Sequence, residues 1–142
     1  MHALEKHVFN YLILVISFSQ VQNQWWAYFC NMENATFEDF QKIDLRVGTI
    51  VNAEPFPEAH KPAYKLTIDF GSLGTKQSSA QITKRYKAEE LIGRQIVAVF
   101  NFPPKKVAGF KSEVLVLGAT QEANDVVLLS PENELPNGSL VA

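Results

Sequence analysis

The positions of glycine and proline divide this chain into two unlike parts. All seven glycines and all seven prolines of its 142 residues lie at Gly48 or later. Since these residues most often mark turns, we expect short elements and frequent turns after Gly48. A chain of this length has room for one domain. We therefore predict a single domain over residues 36–142, preceded by an extension, residues 1–35, that lies outside the fold.

The extension contains an apolar run, Val8–Phe18. It is shorter than the roughly 18 to 20 residues that a helix needs to span a bilayer, so we predict no membrane insertion. A signal peptide is a second interpretation, but Glu5 offsets Lys6 and bulky aromatic residues stand where a cleavage site would follow. We favour a domain that begins near Met32, with upstream residues that pack loosely or against a neighbour, because regular capping and patterning begin only there.

Alternating apolar and polar residues predict β-strands along the domain. The inner face of the most regular strand carries Tyr64, Leu66, Ile68 and Phe70. The inner face of an earlier strand carries Ile43, Leu45 and Val47. Gly48 interrupts this earlier strand, and we expect a bulge or a sharp bend there. Three prolines between the two strands predict a loop, and the segment GSLG predicts a hairpin turn after the second strand.

Two short helices accompany the strands. Thr36 and Asp39 have the form of a capping box, and Phe37 and Phe40 share one face of the helix that follows, so we expect their rings to cover one end of a barrel. The segment KAEELIG is rich in helix formers and ends in glycine, which predicts the second helix. Further strands follow in QIVAVFNF, EVLVLGA and DVVLLS. This order predicts an all-β fold, a five-stranded OB-fold (a Greek-key β-barrel) with extra C-terminal strands.

The strands IVAVF and VVLLS are apolar on both faces. A strand with one solvated face normally alternates, so the second face needs a cover. We predict a symmetric homodimer that buries these outer faces. The alternative is that the C-terminal segment covers its own barrel.

The domain lacks the residue combinations that catalysis usually needs. Cys30 is the only cysteine of the chain and precedes the domain, and His60 is the domain's only histidine. We expect His60 to be a solvated loop residue, and we expect no metal and no cofactor. The segment GSLGTK lacks the spacing of a P-loop. We therefore predict that the protein is not an enzyme, and the single cysteine favours a reducing cytoplasm.

Positive charge is concentrated in residues 76–111. This stretch has eight lysines and arginines against Glu89 and Glu90, a net charge of +6 in a chain whose net charge is −2. Basic residues interleaved with aromatic ones are typical of surfaces that follow a phosphate backbone and stack unpaired bases. The segment PPKKVAGFKS combines two prolines, three lysines and Gly109. We expect a stiff loop there, whose backbone can approach a ligand closely at the glycine.

Several segments resemble one known family. SSAQITKRY, NFPPKKVAGFKSEVLVLG and IDLRVGTIVNAE are similar to the tRNA-binding domain that occurs alone or appended to some aminoacyl-tRNA synthetases, and most closely to its CsaA group. The resemblance covers residues 36–142 and implies an OB-fold homodimer. It also implies two kinds of partner: tRNA, recognised by its overall shape, and unfolded or exported polypeptides, bound by a chaperone that assists secretion.

The resemblance implies contact residues for each partner. The expected tRNA contacts are Lys76, Ser78, Gln81, Lys84, Arg85, Asn101, Lys105, Lys106, Lys111 and Ser112. The expected polypeptide contacts are Phe102, Pro104 and Phe110. Two alternatives stay open: a purely peptide-binding chaperone with no physiological role for tRNA, and an accessory module of an aminoacyl-tRNA synthetase. The net negative charge argues against tight tRNA binding, because affinity rises with the number of phosphates neutralised.

Overall fold

A computed structural model describes residues 33–142 of the chain, and within it residues 37–142 form one compact unit. The predictions made for the apolar run and for the rest of residues 1–32 lie outside the described residues. The elements are α1 (Phe37–Gln41), β1 (Leu45–Pro55), β2 (Tyr64–Asp69), β3 (Thr75–Ala80), α2 (Ala88–Leu91), β4 (Gln95–Val99), β5 (Lys105–Val107), β6 (Phe110–Ser112), β7 (Leu115–Val116), β8 (Gly118–Glu122), β9 (Asp125–Leu128) and β10 (Leu140–Val141).

Five of these strands form an antiparallel barrel in the order β3-β2-β1-β4-β7. The long strand β1 pairs with β4 along its first half and with β2 along its second half. The barrel nearly closes between β3 and the residues just before β7. There the amide of Glu113 donates to the carbonyl of Gln77 at 2.8 Å. This connectivity confirms the predicted five-stranded OB-fold, with α1 before the barrel and α2 between β3 and β4.

The barrel interior confirms the alternation predicted for β2. Leu66, Ile68 and Phe70 are fully buried. Tyr64 is only partly buried, because its hydroxyl reaches out to donate to the carbonyl of Tyr86 at 2.8 Å. The same core takes in buried side chains from α2 and β4, namely Leu91, Ile96 and Ala98. The rest of the core comes from β1, from β9 and from the segments just before α2 and β7.

Gly48 has a different role from the predicted one. The shift in register along β1 lies between Ile50 and Asn52, so the irregularity is not at the glycine. A Cβ atom at Gly48 would lie 2.7 Å from side-chain atoms of both Ile68 and Phe70. Close packing over these two side chains therefore requires glycine at this position.

Two further predictions about local structure are wrong. The rings of Phe37 and Phe40 do not cover a barrel end, since Phe37 is 72% and Phe40 is 40% exposed. The five-residue helix α1 precedes the barrel and buries none of its residues. The segment PPKKVAGFKS is not a stiff loop but contains the hairpin β5–β6. Gly109 has φ of +81° and lies in the hairpin turn, where it serves the backbone geometry.

The apolar outer faces of the last strands stay partly open in the single chain. Val97 of β4 is partly buried, and its amide donates to the carbonyl of Leu129. Val127 is 42% and Leu129 is 43% exposed. The C-terminal segment pairs with β1 through β10, and the backbone of Leu135 bonds to the side chain of Gln95. It therefore covers other parts of the barrel and leaves Val127 and Leu129 exposed. The homodimer therefore stays a prediction, and Val127 and Leu129 are the exposed apolar residues that a partner chain would cover.

Candidate functional site

A cleft of about 620 Å³ lies between the β5–β6 hairpin and the proline-rich loop between β1 and β2. It brings together five of the residues predicted from sequence. These are Gln81, Phe102, Lys105, Lys106 and Ser112. Its volume is within the range of pockets that hold small ligands, about 300 to 1,000 Å³.

The hairpin that forms one wall of the cleft is anchored through Phe110. Its ring packs edge-on against the buried ring of Phe56, with centroids 5.5 Å apart. The ammonium of Lys65 lies 4.8 Å from the centroid of Phe56 and 5.5 Å from that of Phe110. Phe110 was predicted to contact a polypeptide. In the structure its ring packs the hairpin against the barrel, so the backbone that carries the hairpin lysines is anchored.

The hairpin lysines have no acidic partner among the residues that the structure describes. Lys105, Lys106 and Lys111 are exposed, and no carboxylate of residues 33–142 forms an ion pair with any of them. Lys106 and Lys111 are directly opposed across the two strands. Like charges in this arrangement repel each other, so the hairpin holds positive charge that an anionic ligand would neutralise.

The opposite wall supplies a cation that the sequence analysis did not single out. Lys61 and His60 of the proline-rich loop are exposed and line the cleft. Lys61 lies more than forty positions before the hairpin in the chain, so no local pattern joins the two. One sequence feature could have pointed to Lys61. Pro57 and Pro62 restrict the backbone on both sides of it, so the loop presents this lysine in a fixed position.

Polar side chains also line the cleft, among them Ser79, Ser112 and Glu113. The amide of Ser79 donates to the hydroxyl oxygen of Ser112 at 3.1 Å, which places both residues side by side. Glu113 also lines the cleft, and its carboxylate accepts a hydrogen bond from the amide of Gln77 at 2.9 Å. Gln81 is exposed and lines the cleft, and its side-chain amide forms no hydrogen bond with any other described residue.

Two residues predicted to contact tRNA have structural roles. Ser78 is 1% exposed, and its hydroxyl donates to the carbonyl of Val114 at 2.9 Å, which helps to close the barrel. Asn101 uses both ends of its amide, because its Nδ2 donates to the carbonyl of Lys42 at 2.7 Å and its Oδ1 accepts from the amide of Asp44 at 2.9 Å. Neither side chain lines the cleft.

Lys84 and Arg85 lie beside carboxylates of the β8–β9 hairpin. Arg85 donates from Nε and Nη2 to the two carboxylate oxygens of Asp125. These hydrogen bonds hold the pKa of Asp125 below its ordinary value of 3.8 and raise the pKa of Arg85. Lys84 lies 3.8 Å from Glu122 and 3.9 Å from Asp125. The two cations are therefore balanced locally, whereas the lysines of the cleft and its hairpin have no ion pair with a described carboxylate.

The remaining predicted residues lie around these features. Lys76 is partly buried on β3, with its ammonium 5.7 Å from the ring centroid of Phe100. Pro104 is exposed but does not line the cleft, whereas Phe102 lines it and is 46% exposed. The structure thus separates the three predicted polypeptide contacts: one lies at the cleft, one beside it, and one anchors the hairpin.

Two kinds of feature are absent from residues 33–142. This range contains no group of three or more His, Cys, Asp or Glu side chains placed to hold a metal ion. It also contains no helix with the length and apolar character needed to cross a membrane.

Known proteins share this domain. The family model described as "Putative tRNA binding domain" matches residues 45–140. One solved structure similar to this chain is the crystal structure of the chaperone CsaA from Bacillus anthracis. The two sequences are 67% identical and the two structures match with a TM-score of 0.75, over 78% of this chain and 100% of that one. The CsaA chaperone from Picrophilus torridus is 55% identical, with a TM-score of 0.71, over 77% of this chain and 100% of that one.

A longer protein carries a related segment. The methionine–tRNA ligase of Methanococcoides burtonii is 38% identical over 106 residues, which are 75% of this chain and 15% of the ligase. The chain thus spans about one seventh of the length of that ligase.

Proposed function

Because this chain belongs to the tRNA-binding domain family and, within it, to the CsaA-type proteins, we propose that it binds tRNA through the β5–β6 hairpin and the adjacent cleft. One observation carries the proposal: the hairpin holds three exposed lysines without an acidic partner among the described residues, and two of them face each other. A polyanion relieves this repulsion. The proposed contacts are Gln81, Lys105, Lys106, Lys111 and Ser112, with Lys61 added from the opposite wall.

Phosphate contacts supply most of the affinity in this proposal. The chain has a net charge of −2, so attraction must come from the local surface and not from the protein as a whole. Contacts to phosphates fix the position of an RNA without reading its sequence. We therefore expect binding to many tRNA species with similar affinity. Lys76 does not line the cleft and is proposed as a contact outside it, while Lys84 and Arg85 contribute less because Asp125 and Glu122 already balance them.

We infer a second function, the binding of unfolded polypeptides, from the apolar side chains beside the same cleft. Phe102 is 46% and Leu115 is 48% exposed, and both line it. Exposed apolar surface of this kind binds extended apolar segments, and the Bacillus anthracis and Picrophilus torridus relatives are both described as chaperones. A role in export follows only if the clients are exported proteins. A purely peptide-binding chaperone and a synthetase accessory module remain the alternatives.

The assembly and the setting belong to the same proposal. We propose a homodimer that covers Val127 and Leu129, and a protein that binds its partners in the cytoplasm without catalysing a reaction. The domain pairs no nucleophile with a base in its sequence. We also propose that the domain spans residues 36–142 and that residues 1–35 are an extension to it.

Titration with tRNA at two salt concentrations tests the main proposal. Four lysines that each neutralise one phosphate predict that affinity falls roughly 150-fold between about 50 and about 200 mM salt. Lys105→Ala with Lys106→Ala should weaken binding for every tRNA and lower the salt slope by about 1 per lysine removed. The matched control is Lys42→Ala with Lys87→Ala, which removes two exposed lysines that do not line the cleft. Binding that ignores both salt and the hairpin variant would overturn the proposal.

Suppression of aggregation tests the second function. An unfolded client is mixed with wild-type protein and with Phe102→Ala at high salt, where the phosphate contribution is screened. We expect the wild type to suppress aggregation and the variant to suppress it less. No suppression by equimolar wild-type protein would reject a polypeptide-binding role.

A further inference from the structure

The cleft is small, and both apolar and positively charged side chains line it. It is about 620 Å³, between the proline-rich loop and the hairpin. Pockets of this size enclose small ligands, whereas a base-paired helix would have to lie across the opening. An unpaired segment is therefore the part of a large RNA that such a cleft suits.

One wall offers an aromatic surface. Phe102 lines the cleft with 46% of its surface exposed, and Pro103 follows it along the same wall. Phe102 makes no ring contact with another aromatic residue of the described range. In this respect it differs from Phe110, whose ring is packed against Phe56. An exposed ring beside positive charge is the arrangement on which proteins stack unpaired bases.

The charges of the cleft favour an anion over a neutral chain. Lys61, Lys105 and Lys106 line it from two separate segments, against the single carboxylate of Glu113. That carboxylate is already held by the amide of Gln77 at 2.9 Å. The net charge of these four side chains is positive, which suits a sugar-phosphate backbone. A polypeptide would bring no matching negative charge along its main chain.

Polar side chains also line the cleft, among them Ser112 and Gln81. The hydroxyl oxygen of Ser112 accepts from the amide of Ser79, which leaves its O–H hydrogen able to donate. The side-chain amide of Gln81 carries a donor and an acceptor, and neither forms a hydrogen bond with another described residue. Such groups can bind the edge of a base or a 2′-hydroxyl once the base is out of its stack.

We infer that this cleft holds an unpaired nucleotide of the RNA, with the base stacked on Phe102 and the flanking phosphates held by Lys61, Lys105 and Lys106. The inference rests on the proposed binding of tRNA and specifies which part of the RNA enters. Duplex regions would then contact only the outer lysines, such as Lys111. An RNA without an accessible single-stranded segment would bind more weakly.

Competition between short RNAs and tRNA tests the inference. A single-stranded RNA hexamer and a blunt RNA duplex of the same length are each titrated against the full chain bound to labelled tRNA. We expect the hexamer to displace tRNA at lower concentration than the duplex. Phe102→Ala should weaken hexamer binding by roughly 5- to 150-fold, the equivalent of one lost stacking contact. Phe102→Tyr should restore it, because the ring is kept.

A matched variant and a direct readout separate stacking from general effects. Leu135→Ala removes an apolar side chain of similar exposure, 43%, that does not line the cleft, and it should leave hexamer affinity unchanged. A hexamer carrying 5-iodouridine should crosslink to Phe102 on irradiation. Crosslinking to Phe102 would support the inference.

Three outcomes would overturn it. If tRNA binds and the hexamer does not compete, the cleft takes no unpaired nucleotide, although the proposed function stands. If the hexamer binds equally well to Phe102→Ala, the ring does not stack a base. If Phe102→Ala abolishes binding of an unfolded polypeptide but not of the hexamer, the cleft belongs to polypeptides. Failure of tRNA itself to bind would reject the proposed function as well.

Discussion

Lys106 and Lys111 lie directly opposite each other on the β5–β6 hairpin. Their side chains project from the same face of the two strands, and no carboxylate among the described residues pairs with either. Two like charges in this position lower the stability of a hairpin. A pair that costs stability in the free protein is the arrangement expected where an anionic partner binds.

Lys111→Glu should therefore move stability and binding in opposite directions. The new carboxylate faces Lys106, so the variant should be more stable by about 0.2 to 1 kcal/mol. Affinity for tRNA should fall at low salt, because one phosphate contact is lost and a repulsive charge is added. Urea unfolding and a binding titration measure the two effects. A variant that is less stable and binds tRNA as well as wild type would contradict the role given to this pair.

Ser78→Ala should lower stability and leave tRNA binding alone. Its hydroxyl donates to the carbonyl of Val114 where the barrel closes. Loss of that hydrogen bond from a buried site costs about 1 to 3 kcal/mol. The measurement is the free energy of unfolding from urea titration, paired with tRNA affinity. If instead affinity falls while stability is unchanged, Ser78 contacts the RNA and the structural role is wrong.

The pair formed by Arg85 and Asp125 gives a prediction about pH. The hydrogen bonds from Arg85 hold the pKa of Asp125 below 3.8 in the folded protein. A lowered pKa means that the interaction stabilises the fold above the unfolded value and is lost as the pH falls through the folded value. The stability difference between wild type and Asp125→Asn should be present at neutral pH and should shrink below about pH 4. A difference that stays constant from pH 7 to the acid limit would refute the assignment.

Ala108 gives a prediction about the hairpin turn. Its φ is +45°, in the left-handed region that residues other than glycine and asparagine avoid. A backbone in that region costs roughly 1 to 2 kcal/mol for a residue with a Cβ. Ala108→Asn, which forms the Asn-Gly pair preferred in such turns, should raise the midpoint of urea unfolding. Ala108→Val should lower it, and equal midpoints for the two variants would exclude strain at this position.

Two exposed apolar residues, Val127 of β9 and Leu129 just after it, give a prediction about assembly. If Val127 and Leu129 form the dimer surface, light scattering at micromolar concentration should give twice the 15.9 kDa of one chain. Val127→Asp with Leu129→Asp should reduce the mass to that of one chain, because each interface would then bury unpaired charge. Leu73→Asp, which adds a carboxylate at an exposed apolar position outside β9, is the control. A single-chain mass for wild type would reject the dimer.

Local periodicity was enough to determine the barrel. The alternation from Tyr64 to Phe70 and the helix in KAEELIG depend on neighbours a few residues apart, so both appear in the structure as predicted. The order of these elements then leaves few ways to close a sheet, and the OB-fold follows. The short hairpin β5–β6 was missed because two prolines and three lysines hide the weak pattern of three-residue strands.

The tertiary structure decided which of the basic residues are free. Arg85 meets Asp125 and Ser78 meets Val114 across 40 and 36 positions of the chain, and Lys61 joins the hairpin lysines from a still more distant loop. A charge in the sequence carries no information about its partner, because ion pairs form between whichever side chains the register of distant strands brings within a few ångströms. The sequence by itself therefore determined the barrel and the stretch of positive charge, and only the folded chain determined where that charge is left unbalanced.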